Sequence, residues 1–179
     1  MNLGDAKRKV LKLLDESTAM SITQDPLAKF IDYFDMAQKE IAIILPIIKT
    51  ATIVKVATDE SVEYVEQALP SDFREVIKVH GENNGRWIGK KWFLRYDDEG
   101  TFIVEYKAYP ETITADTPDS YTFEVVPEAF QALVYHVAAQ CEVKEYNLNY
   151  YDNYMSLYNA SMANLANNRR AGMTFVKVI

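Results

Sequence analysis

Apolar residues recur at helical spacing near both ends of the chain and alternate in its middle. Leu3, Val10, Leu11, Leu13 and Leu14 gather mainly on one face, which predicts a helix over about 2–16. Asn2 can cap it, with Asp5 three residues on in the manner of a capping box. The stretch "STAMSITQDP" breaks it. A second helix is predicted over about 25–45. Asp25-Pro26 opens it, with proline at the first helical position, where its missing N–H costs nothing. Leu27, Phe30, Phe34, Ala37, Ile41 and Ile44 then step by threes and fours, a seam for packing against other helices, and Pro46 ends it.

From about 51 to 126 the period shortens to that of strands. "ATIVKVA", "VEYVEQALP", "FREVIKV" and "SYTFEVV" read as short strands. "KKWFLRY" and "TFIVEYKAY" alternate inward and outward side chains around the acidic turn "DDEG". Trp92, Leu94 and Tyr96 share one face, and Phe102, Val104, Tyr106 and Ala108 the face opposite, so a hairpin over Lys91–Tyr109 is expected, projecting from the helices. "NNG" at Asn83–Gly85 is a second turn signal. Helical period then returns over about 127–147, where Pro127 leads Phe130, Leu133, Val134, Val137 and Cys141 along one side, and again over about 149–166. Helices flanking a segregated β region predict an α+β fold. The expectation is a mainly helical bundle of about four helices, with an antiparallel β lobe inserted between helices 2 and 3. It makes one domain, 1–166, followed by a C-terminal arm, 167–179.

The final helix raises the first functional question. Leu148, Tyr151, Met155, Tyr158, Met162 and Leu165 form one stripe at 100° per residue and are assigned to the core. Tyr146, Tyr150, Tyr154 and Leu157 fall about a quarter-turn away. This second set either rims the core with hydroxyls in water or makes a subunit contact, a setting in which tyrosine is enriched. The arm "NNRRAGMTFVKVI" shows no helical period, yet its end is apolar and β-prone. It is expected to pair with a strand edge on a partner, through Phe175 and Val178 or Val176 and Ile179, with Arg169 and Arg170 facing acidic groups; the alternative is a final strand folded back on the chain's own β lobe.

Composition narrows the chemistry. The chain has 179 residues, 49% of them hydrophobic, and a formal charge of −7. A chain of this length buries roughly 70% of its unfolded surface. The acidic balance opposes a sequence-independent grip on nucleic acid, which needs a basic face; "KRKVLK" near the start reads as a solvated helix face. A single cysteine, Cys141, excludes an internal disulfide framework. The most apolar run, "IAIILPII", is too short to span a bilayer, and no signal peptide is visible, so a soluble protein made in a cytoplasm is expected.

Candidate chemical groups do not assemble into a constellation. Cys141 and His136 lie five apart on one helix and point apart, whereas a Cys–His pair needs hydrogen-bond contact; Cys141 reads as a buried structural thiol. His80 stands alone at a strand end. "DDEG" lacks the alternating ligands of a calcium loop, and "GENNGRWIGKK" matches no phosphate-binding pattern. No catalytic residue, metal ligand or cofactor is therefore assigned. The rival reading is a small soluble α+β enzyme or ligand-binding domain that uses His80, His136 or Cys141 with the aromatic β face.

The order of segments carries more than any one of them. "LGDAKRKVLKLLDE", "DPLAKFIDYFDMAQKEIA", "LPSDFREVIKV", "YPETITADTPDSYTFEVVPEAFQALVYHVAAQ" and the Tyr-rich helix follow one another from about Leu3 to Leu165. In this order they resemble the head–tail connector, or adaptor, proteins of tailed bacteriophages; neck stopper and tail-completion proteins share parts of the pattern. The resemblance implies a virion protein, made in the host bacterial cytoplasm, that assembles as a ring, often of twelve copies, beneath the portal protein. It also implies contact with the next neck or tail component and a share in the channel for DNA, without sequence-specific binding, enzyme activity, cofactor or membrane. A prophage remnant would carry the same pattern.

Overall fold

The computed structural model describes residues 1–14, 31–56, 63–81, 85–144 and 148–170. The chain divides into two compact units, one formed by Met1–Pro46 with the chain from Pro110 through the last helix, the other by Ile47–Tyr109.

In the first unit, α1 (Leu3–Leu13), α2 (Ile31–Ile44) and α4 (Leu148–Arg170) pack on α3 (Phe130–Lys144), which a 3-10 turn, Pro127–Ala129, leads in. The centre falls to α3 because it is apolar on all sides: Ala132, Leu133, Val134, Val137, Ala138, Ala139 and Cys141 are all buried. Asn2 caps α1 as expected, its Oδ1 accepting the Asp5 N–H at 2.7 Å. The opening of the second predicted helix, Asp25-Pro26 with Leu27 and Phe30, lies outside the described residues. Asn167–Arg170, expected to begin a non-helical arm, instead continue α4.

"SYTFEVV" is not a strand of a sheet. It runs beside the start of the chain, where the Leu3 N–H donates to the Tyr121 carbonyl at 2.8 Å and a single bridge joins Asn2 to Thr122. Its apolar residues Phe123, Val125 and Val126 are buried in the helical unit. A strap from Glu111 to Tyr121 is tied to α2 by polar groups. Asp35 accepts the Ile113 N–H at 3.0 Å, Gln38 Nε2 donates to the Glu111 carbonyl at 2.6 Å, and the Tyr121 hydroxyl donates to Gln38 Oε1 at 3.3 Å. Gln38 is fully buried, and these partners satisfy it, as a buried amide requires.

The second unit overturns the expectation of a mainly helical bundle with one β lobe; the fold is α+β, with two antiparallel three-stranded sheets among the described residues. One has the order β1 (Ile47–Lys55), β6 (Gly100–Ala108), β3 (Phe73–His80); the other β2 (Tyr64–Gln67), β5 (Lys91–Arg95), β4 (Arg86–Ile88). The expected Lys91–Tyr109 hairpin is likewise corrected, because β5 and β6 belong to different sheets. The alternation holds within the strands, where Trp92, Leu94, Phe102, Val104, Tyr106 and Ala108 are all buried, while Tyr96, just past the end of β5, is half-buried. These buried side chains cover one another across two layers, as in Trp92 meeting Phe102 edge-on at 5.4 Å. Phe73 stacks on Trp87 at 5.7 Å between the layers, and Trp87 stacks in turn on Trp92, its cross-strand partner, at 5.8 Å.

The true hairpin is β4–β5, with Ile88 opposite Lys91 and Gly89-Lys90 as its two-residue loop. Such loops need positive φ, and Gly89 supplies it at +61°. The "DDEG" tip is a tight link between sheets: the Asp98 carboxylate accepts the Arg95 N–H at 2.8 Å and is itself buried.

Candidate functional site

The Tyr-rich helix α4 shows its two faces in unequal measure. Tyr158, Met162 and Leu165 of the expected core stripe are buried, while Tyr151 and Met155 are half-buried. Leu148, the first residue of α4, is 63% exposed, so the stripe reaches the core only from Tyr158 onward. On the other face Tyr150 is 58% and Leu157 44% exposed. Seven residues apart, these two lie almost in line along the helix. Tyr154 sits between them and is half-buried: its hydroxyl donates to the Leu13 carbonyl at the end of α1, at 2.7 Å. Burial, with help from Glu142, raises its pKa. Tyr154 therefore already has an intramolecular task, whereas Tyr150 and Leu157 expose apolar surface. Tyr146, Phe175, Val176, Val178 and Ile179 lie outside the described residues, and Arg169 and Arg170 close α4.

A polar cluster that the sequence did not announce joins three helices of the helical unit, with Glu40 at its exposed edge. His136 on α3 is buried, and its Nε2 lies 3.1 Å from Glu40 Oε2 on α2. The Tyr158 hydroxyl donates to the same carboxylate oxygen at 3.5 Å, and the two rings meet edge-on at 5.2 Å. Burial lowers the His136 pKa against the opposing pull of Glu40, so the imidazole is neutral and carries its proton on Nε2. Its Nδ1 is enclosed, with no hydrogen-bond partner among the described residues. The Tyr158 hydroxyl is pushed up to about 12 by burial and by Glu40. His136 is buried while the Glu40 side chain is 47% exposed, and the trio ties α2, α3 and α4 together. No spacing rule joins Glu40 to a residue 96 positions on; only the fold brings them together.

The remaining candidates stay apart. Cys141 is buried, as its place in the apolar stripe predicts, and His80 ends β3 at the surface. Among the described residues no group of three or more His, Cys, Asp or Glu side chains could hold a metal ion, and no helix is long and apolar enough to cross a membrane. No protein-family model matches the chain, and no curated protein matches it.

Proposed function

We propose that this chain is a structural subunit of the head–tail junction of a tailed bacteriophage, forming a ring beneath the portal and part of the wall of the DNA channel. The observation that carries the reading is the double use of α4. One stripe of the helix closes its own core through Tyr158, Met162 and Leu165, while Tyr150 and Leu157 hold a second apolar stripe out to solvent. A ring subunit needs this arrangement, because it must cover its own core and also present surface to neighbours. Tyrosine suits such a surface, with an apolar ring to bury and a hydroxyl that can stay wet. The order of segments resembling connector proteins supports the reading. So does the formal charge of −7, since an acidic wall lets DNA slide past rather than holding its phosphates. On this reading the protein has no turnover, and its place is the virion.

The test is assembly. The purified chain, alone and mixed with its portal protein, should give closed rings in negative-stain images and native mass spectra. Replacing Tyr150 and Leu157 together by alanine should abolish rings and leave the monomer melting temperature within a degree or two, as expected for exposed positions. A chain that stays monomeric at high concentration and with the portal present would sink the proposal.

A further inference from the structure

A groove of about 430 Å³ runs along the outer side of α1, lined by Met1, Asp5, Arg8, Lys9, Lys12 and Phe130. Its cations are concentrated by helix geometry: Arg8, Lys12 and Lys9 fall within about 100° of one another on the helix wheel, away from the buried Leu3, Ala6 and Val10. All three are exposed. Asp5 pairs with Arg8, which leaves the groove positive in a chain whose formal charge is −7. Beneath the charge the groove is apolar. Lys9 Nζ lies 4.8 Å from the centre of the Phe130 ring, the Met1 side chain is 41% exposed, and lysine stems add carbon. A groove with cationic rims and an apolar floor fits an acidic peptide that carries a small apolar side chain. It fits a phosphate backbone less well, because that has no apolar group to bury.

The chain itself contains such a segment. Asp59-Glu60-Ser61-Val62-Glu63, between β1 and β2, has three acids and one valine in five residues. We propose that the α1 groove of one copy receives the Asp59–Glu63 segment of a second copy, with the acids meeting Arg8, Lys9 and Lys12 and Val62 covering Met1 and the edge of Phe130. A contact between two different surfaces of one chain is heterologous, the type that propagates around a ring. The inference rests on the ring reading only for its source, a second copy; the chemistry of the groove stands without it.

The experiment uses the full chain and a fluorescent peptide of the sequence Ala57–Glu66. The peptide should bind the wild type in fluorescence anisotropy. The R8E/K12E variant, altered only at exposed positions and checked for helix content, should bind it at least about tenfold more weakly. Added salt should weaken binding, as it does for exposed charges. Replacing Asp59, Glu60 and Glu63 of the peptide by their amides should abolish it. Absence of peptide binding, equal binding to R8E/K12E, or displacement of the peptide by a short DNA duplex overturns the inference. The ring reading is judged separately: rings that form from R8E/K12E and still depend on Tyr150 and Leu157 leave that reading standing while the groove contact falls.

Discussion

Single residues here divide by whether their role depends on a local pattern or on a distant partner. Asn2 and Cys141 were legible because capping and stripe membership are local: Asn2 precedes the first helical turn, and Cys141 continues an apolar row. Gln38, Glu40 and His136 were not, since each is explained only by groups far along the chain that the fold brings near. His136 has a consequence in solution. Its folded pKa lies below the ordinary 6.5 because burial penalises the imidazolium, and a proton added at Nδ1 would have no partner among the described residues. Over the range between the two values the unfolded chain therefore binds more protons than the folded one. Stability from this group is then fully present above about 6.5 and is lost as pH falls towards the folded value. Urea midpoints measured from neutral pH downward should fall more steeply in the wild type than in His136→Gln, which keeps a donor towards Glu40 but does not titrate. Parallel pH profiles for the two proteins would show that His136 is not the responsible group.

At the scale of elements, alternation identified which side of each strand faces inward but not which strand lies beside it. Trp92 and Leu94 belong to the inner face of their strand, and Phe102, Val104, Tyr106 and Ala108 to that of theirs, and all six are buried. Nothing in a period of two separates a hairpin from two strands that leave a tight turn into different sheets. The discriminating signal was the glycine before Lys90, at the point where "RWI" turns back as "KWF". That glycine makes the loop testable. A Cβ on Gly89 would meet nothing within 4 Å, so any cost of substitution comes from the backbone at φ +61° rather than from a clash. Gly89→Ala should cost about 1–2 kcal/mol, the penalty of a left-handed conformation. Gly89→Asn should cost less, since asparagine visits that region more readily. Denaturant unfolding of the three proteins checks the order, and an alanine variant as stable as the wild type would mean that the turn relaxes to another type.

For the whole molecule, the sequence showed strands inserted between helices but not that the insert is a compact unit with its own core. The register of the sheets supplies the missing fact: Ile47, the first residue of β1, pairs with Ala108, the last of β6. Directly paired residues of antiparallel strands lie about 4.5–5.5 Å apart at Cα, so the chain enters and leaves the β unit at nearly the same point. Two or three residues of flexible linker span that gap, given about 3.8 Å between successive Cα atoms. The helical unit contains the fully buried side chains Leu3, Val10, Phe34, Ile41, Leu133 and Val137, along with the polar ties from Asp35 and Gln38 to the strap. Replacing Ile47–Tyr109 by Gly-Ser-Gly should therefore leave a helical protein that unfolds cooperatively, with Leu45 and Pro46 still ending α2. Circular dichroism should lose its strand contribution and keep its helical bands, and calorimetry should show one transition. A broad, non-cooperative melt with dye-accessible apolar surface would mean that the helical core depends on the sheets for its order, and that the two units fold only together.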